Sequence, residues 1–143
     1  MHWWMYAVGA AMIWGLHYPL VSRALQVTSP ITVYVLPNII LLLCIPFFYK
    51  TIVNDYYSIL KSTWDIKLSI FLMMFTSIIA SIGVYKAIHL SNATLASLIE
   101  ITYPLFVVIF SFFIFHENHL SWPVVIGGIL VTVGTGIIIY FNG

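Results

Sequence analysis

A chain of 143 residues with 62% hydrophobic and only 6% charged side chains cannot build a water-soluble surface, for which about 45–50% apolar and about 25% charged residues are usual. Five Lys and Arg against four Asp and Glu give a net charge of +1 with no basic run, which excludes electrostatic attraction to nucleic acid. The solvent that suits this composition is the bilayer, where the 17% of aromatic residues can sit at the two interfaces.

A helix of about 20 mostly apolar residues crosses about 30 Å of hydrocarbon, and the sequence fits that template near residues 4–23, 31–49, 68–88, 94–115 and 122–141. The expected fold is therefore an all-α membrane bundle of five transmembrane helices, a single domain over residues 1–143. Short polar breaks separate the spans and leave no room for a soluble domain. The opening MHWWMY lacks the basic region of a cleaved signal peptide, so the first segment reads as a retained span.

That first span places Trp14, His17 and Tyr18 at i, i+3 and i+4, where they form one wall. Such a wall can line a substrate pathway and stack on a planar or cationic solute, although interfacial anchoring and packing explain most membrane aromatics. Ala7, Ala11 and Gly15 recur every four residues as a small-residue ridge. The second span contains Pro37, Pro46 and the single Cys44, so no intrachain disulfide is possible. The segment YKTIVNDYYSILKSTWDIK that follows reads as a long polar break before the third span.

The fourth span carries the most informative residue. Helical spacing aligns Ala93, Ala96, Ser97, Glu100, Tyr103 and Pro104 along one stripe of an otherwise apolar helix. With the helix starting near Ala93, Glu100 lies about 10 Å below the interface. A carboxyl group there costs about 2.5–3.5 kcal/mol on insertion scales, so it points to function: the coupling of transport to a proton or cation, with Ser97 and Tyr103 as further lining of the pathway. The competing reading is a structural acid held by a hydrogen bond or by Lys86.

The fifth span repeats Gly128, Thr132 and Gly136, a ridge suited to a dimer contact or to packing within one subunit. Between the last two spans, HENH brings His116, Glu117 and His119 together. The zinc-protease spacing of four between histidines is missing and no fourth ligand is evident, so no metal is expected. Neither a Gly-rich phosphate loop nor a Ser-His-Asp or Cys-His set can be assembled, which argues against an enzyme and against any cofactor.

With the N-terminus in the cytoplasm, Lys50, Lys61 and Lys67 lie inside while Arg23 and Lys86 lie outside. A bias of three against two barely selects a direction. A chain able to insert both ways can form an antiparallel pair, the inverted-repeat architecture of many transporters; a single orientation with a separate partner is the alternative.

The segment from Ala93 to Ile139 resembles the C-terminal half of an EamA-type repeat of the drug/metabolite transporter superfamily. The features that carry the resemblance are Ala96 and Ser97, Pro104 in mid-span, Glu117 at the following turn, and Gly127, Gly128 and Gly134 in the last helix. Trp14 and Gly15 followed by Ser29 and Pro30 resemble the start of the repeat. The resemblance covers the whole chain as one five-helix repeat, whereas most members carry two in inverted orientation, about ten helices. It implies a homodimer, a heterodimer with a paired five-helix subunit, or a truncated gene. It further implies export of small organic solutes such as metabolites, amino acids or drugs. Where many members have a basic residue in the second span, this chain has Pro37 and Asn38.

The expectation is thus an integral protein of the cell (inner or plasma) membrane, transporting a small-molecule solute as a dimer by alternating access. Its rivals are a membrane accessory or scaffold subunit that does not transport, and a subunit of a lipid-carrier flippase.

Overall fold

The computed structural model describes residues 2–117 and 121–142, and among them there are helices and no strand. The helices are α1 (Trp3–Ala24), α2 (Pro30–Lys61), α3 (Trp64–Leu90), α4 (Ala93–Glu100), α5 (Tyr103–Phe115) and α6 (Trp122–Asn142). Four segments are long and apolar enough to cross a bilayer: α2, α3, α4 with α5 (Ala93–Phe115), and α6. These agree with the expected second to fifth spans, and the chain is an integral membrane bundle. The first segment is helical over 22 residues but is not among the four; Trp14, His17, Tyr18 and Pro19 dilute its apolar character.

The helices belong to two compact units, Met1–Pro19 with Ser91–Gly143, and Leu20–Leu90. In the second unit, Ser29 caps α2 by accepting the Thr32 N–H, and Pro30 occupies the first turn, where its missing N–H does no harm. The helix runs on through Pro37 and Pro46. Pro37 leaves the Val33 carbonyl without its usual donor, and beside it the Asn38 amide donates to the Tyr34 carbonyl at 2.6 Å.

The polar break expected after residue 49 is a helix as far as Lys61. Ile52, Val53, Tyr56, Tyr57 and Leu60 recur at helical spacing against Asn54, Asp55, Ser58 and Lys61, with no Gly or Pro to stop the helix. Charge content made the segment look like a loop, whereas its periodicity is that of an amphipathic helix. The α2–α3 turn is closed by side chains. Ser62 donates to the Ile59 carbonyl at 2.7 Å, and Lys67 Nζ to the Leu60 carbonyl at 2.9 Å, satisfying acceptors that the helix end leaves open. Helix α2 packs along α3, and the buried residues of this unit are Val21, Leu25, Val33, Tyr85 and Ile88.

In the first unit, Asn92 Oδ1 accepts the Leu95 N–H at 2.8 Å and starts α4, which packs on α6 with Ala96 and Thr135 buried. Helix α5 ends at His116, whose φ of 56° is left-handed, and the Glu117 N–H donates to the Ser111 carbonyl at 3.0 Å. Glu117 thereby closes the helix through its backbone. Of the apolar windows in the four spans, no more than 6% is buried within the chain. The remainder faces outward, as suits side chains in lipid.

Candidate transport site at a broken span

The fourth span does not run straight through Glu100. Helix α4 ends at that residue, Ile101 and Thr102 form a turn, and α5 resumes at Tyr103. Pro104 supplies the physical cause. It stands four residues after Glu100 and has no N–H to offer the Glu100 carbonyl, while in the first turn of α5 it is well tolerated. The turn tightens to bonds between residues three apart: the Thr102 N–H donates to the Ile99 carbonyl at 3.1 Å, and Thr102 Oγ1 donates to the same oxygen at 2.8 Å.

At this break the Tyr18 hydroxyl donates to Glu100 Oε2 at 2.5 Å, joining residues 82 positions apart. Both side chains are half-buried. The bond ties α1 to the end of α4. The Tyr18 ring lies 5.6 Å from that of Trp14, and Trp14 meets His17 edge-on at 5.1 Å. The aromatic triad and the acid expected from the sequence are thus one cluster. Trp14 remains 52% exposed, so its ring has a face open to a solute or a lipid chain.

The stripe expected through residues 93 to 104 holds only as far as the break. Ala96 is buried and Ala93, Ser97 and Glu100 are half-buried, whereas Tyr103 is 61% exposed beyond the turn. Ser97 directs its hydroxyl back to the Thr94 carbonyl at 3.0 Å. The link from Tyr18 to Glu100 was missed from the sequence. Its available signal was Pro104 at i+4 from an acid, which marks the acid as a helix end.

On α6 the face turned inward is Val125, Gly128, Val131, Thr135 and Ile138. The ridge expected from spacing is therefore divided: Gly128 faces α5, while Thr132 and Gly136 are exposed and Gly136 has open space before it. An apolar groove between α5 and α6, lined by Leu105, Val108, Val124, Gly128 and Val133, holds no charged side chain. Among the described residues no group of three or more His, Cys, Asp or Glu can hold a metal; His119 of the HENH segment lies outside them.

No curated protein and no solved structure matches the chain. A family model does, that of the EamA-like transporter family, over residues 1–140. That match takes in both halves of the Tyr18–Glu100 cluster and all but the last two residues of the six helices, and by it the chain belongs to the EamA-like transporter family.

Proposed function

We propose that the chain moves small organic solutes, as a metabolite, amino-acid or drug exporter of the cell (inner or plasma) membrane, and that two five-helix repeats pair to make the path. Helix α1 then serves as the fifth span: its 22 residues give about 33 Å of helix, enough to cross the hydrocarbon. Antiparallel self-pairing suits the weak charge bias, and a paired five-helix subunit is the heteromeric equivalent. Thr132 and Gly136 are the part of the small-residue ridge left exposed for the contact.

The observation that carries the reading is the bond between Tyr18 and Glu100 at the break in a span. An ionisable group within a membrane segment is retained for work on ions or solutes, and irregular backbone at that depth is tolerated where it lines a protein cavity. Glu100 can exchange a proton or a cation for the Tyr18 hydroxyl, and either exchange frees α1 from α4. Trp14, His17, Tyr18, Ser97 and Tyr103 supply the walls. The test is solute flux into proteoliposomes under an imposed pH gradient, native protein beside Glu100→Gln. Uptake that follows the gradient and disappears in the variant supports coupling at Glu100. Gradient-driven uptake that survives the substitution refutes it.

A further inference from the structure

Helix α1 leads into α2 through residues 25–29, and α2 turns back into α3 through Ser62 and Thr63. The end of α1, the start of α2 and the end of α3 therefore stand on one side of the bilayer, within the unit Leu20–Leu90. The buried residues of that unit, Val21, Leu25, Val33, Tyr85 and Ile88, all lie at these three ends. Around them stand Arg23 in the last turn of α1 and, one turn apart on α3, Lys86 and His89, all three exposed.

The unit's two carboxylates are at the opposite end. Asp55 lies 25 residues along α2 from Pro30, about 37 Å of helix, and Asp65 stands in the first turn of α3. Lys50, Lys61 and Lys67 share that end with them, and Lys67 Nζ is engaged by the Leu60 carbonyl. Neither Arg23 nor Lys86 forms an ion pair among the described residues, and Glu100 has Tyr18 as its partner. The helix ends do not neutralise the two cations. The C-termini of α1 and α3 carry about half a negative charge each and the N-terminus of α2 about half a positive one, against two full positive charges.

We propose that this end of the Leu20–Leu90 unit holds the phosphate of an anionic phospholipid, with Arg23 and Lys86 meeting its charge and His89 as a further donor. The site uses no residue of the Tyr18–Glu100 cluster and does not rest on the transport reading. The guanidinium fork of Arg suits two phosphate oxygens, and the ammonium of Lys supplies a compact charge beside it. Headgroup phosphates lie at the level where spans end. Lys86, four residues before the end of α3, reaches that level by laying its stem along apolar surface. A free phosphate would use the cations alone. An amphiphile is favoured because Val27, Ile31 and Leu90 are 86%, 62% and 74% exposed and give acyl chains apolar surface beside the charge.

The experiment is native mass spectrometry of the full chain in nonionic detergent, titrated with dioleoylphosphatidylglycerol or dioleoylphosphatidylcholine. The first phosphatidylglycerol should bind at least about tenfold tighter than the first phosphatidylcholine, the scale set by two basic residues at a lipid surface. Arg23→Gln and Lys86→Gln should each lower that preference about fivefold, and Arg23→Lys should keep it within about threefold. Lys50→Gln combined with Lys61→Gln, at the opposite end, should leave it unchanged. Equal binding of the two lipids by the native chain overturns the proposal without recourse to any variant. A preference that survives Arg23→Gln combined with Lys86→Gln overturns it as well. A preference that falls equally in the Lys50 and Lys61 variant reports net charge alone, and the site falls. Displacement of the lipid by millimolar inorganic phosphate would show a free-anion site, and the lipid assignment falls with it.

Discussion

Gly128 lies so close to Leu105 that a Cβ built on it would stand 2.6 Å from Leu105 Cδ2. The contact brings the backbone of α6 against α5 at one point, and the clashing atom is the end of a flexible side chain. Gly128→Ala should be close to neutral, because Leu105 can turn aside and Ala gains about 1 kcal/mol of helix propensity over Gly. Gly128→Ile should cost about 1–3 kcal/mol, since a branched side chain cannot be accommodated by one rotamer change. Thermal unfolding in detergent distinguishes the two.

Gly136 occupies the same ridge with nothing near its Cβ direction, and the opposite outcome is expected there. Gly136→Ile should leave the unfolding of the single chain unchanged. It should reduce dimer yield on cross-linking in native membranes if the exposed half of the ridge pairs with a second copy. A dimer yield equal to that of the native chain would remove α6 from the interface.

Tyr18 and Glu100 should be coupled energetically. A double-mutant cycle of Tyr18→Phe and Glu100→Ala should give a coupling of about 0.5–1.5 kcal/mol, the range for a typical hydrogen bond within a protein. Coupling near zero would mean that the bond forms no more strongly than each group's bond to water.

Helix α2 is 32 residues long, about 48 Å, against about 30 Å of hydrocarbon. Its last three turns should therefore stand beyond the acyl chains. Spin labels placed singly from Lys50 to Lys61 should show accessibility to a water-soluble relaxation agent that oscillates every 3–4 residues, highest at Asn54, Asp55, Ser58 and Lys61. Uniformly high accessibility would restore the loop that the charge content suggested.

How much of this was legible in the sequence depends on the scale of the pattern. The four apolar spans follow from runs of about 20 residues, a signal too long to arise by chance, and each falls within a helical segment, although α2 runs on to Lys61. Residues 50–61 were misread because Lys50, Asn54, Asp55 and Lys61 end a hydrophobic run without ending a helix. The exposed stripe of α6 was only half legible. Spacing identifies Gly128, Thr132 and Gly136 as one ridge, but which of them faces α5 depends on how α6 is rotated, and the local sequence leaves that angle open. The Tyr18–Glu100 bond joins the first helix to the fourth, so no local pattern could specify it. Each partner was nevertheless conspicuous for its own chemistry.

The break after Glu100 gives the most direct test of whether backbone irregularity serves transport. Pro104→Ala restores an N–H that can bond the Glu100 carbonyl, and residues 100–105 should then join α4 and α5 into one helix. Amide exchange at Ile101 to Leu105 should slow, and the variant should melt at a higher temperature, by about 1 kcal/mol or more of added stability. Straightening the span re-aims the Glu100 side chain relative to Tyr18, so pH-driven flux should fall even as stability rises. Opposite changes in stability and flux would mark the break as a feature retained for function at a cost in stability. Slower exchange with unaltered flux would show that Pro104 only accommodates a packing constraint, and the role of Glu100 would then have to be independent of the turn that follows it.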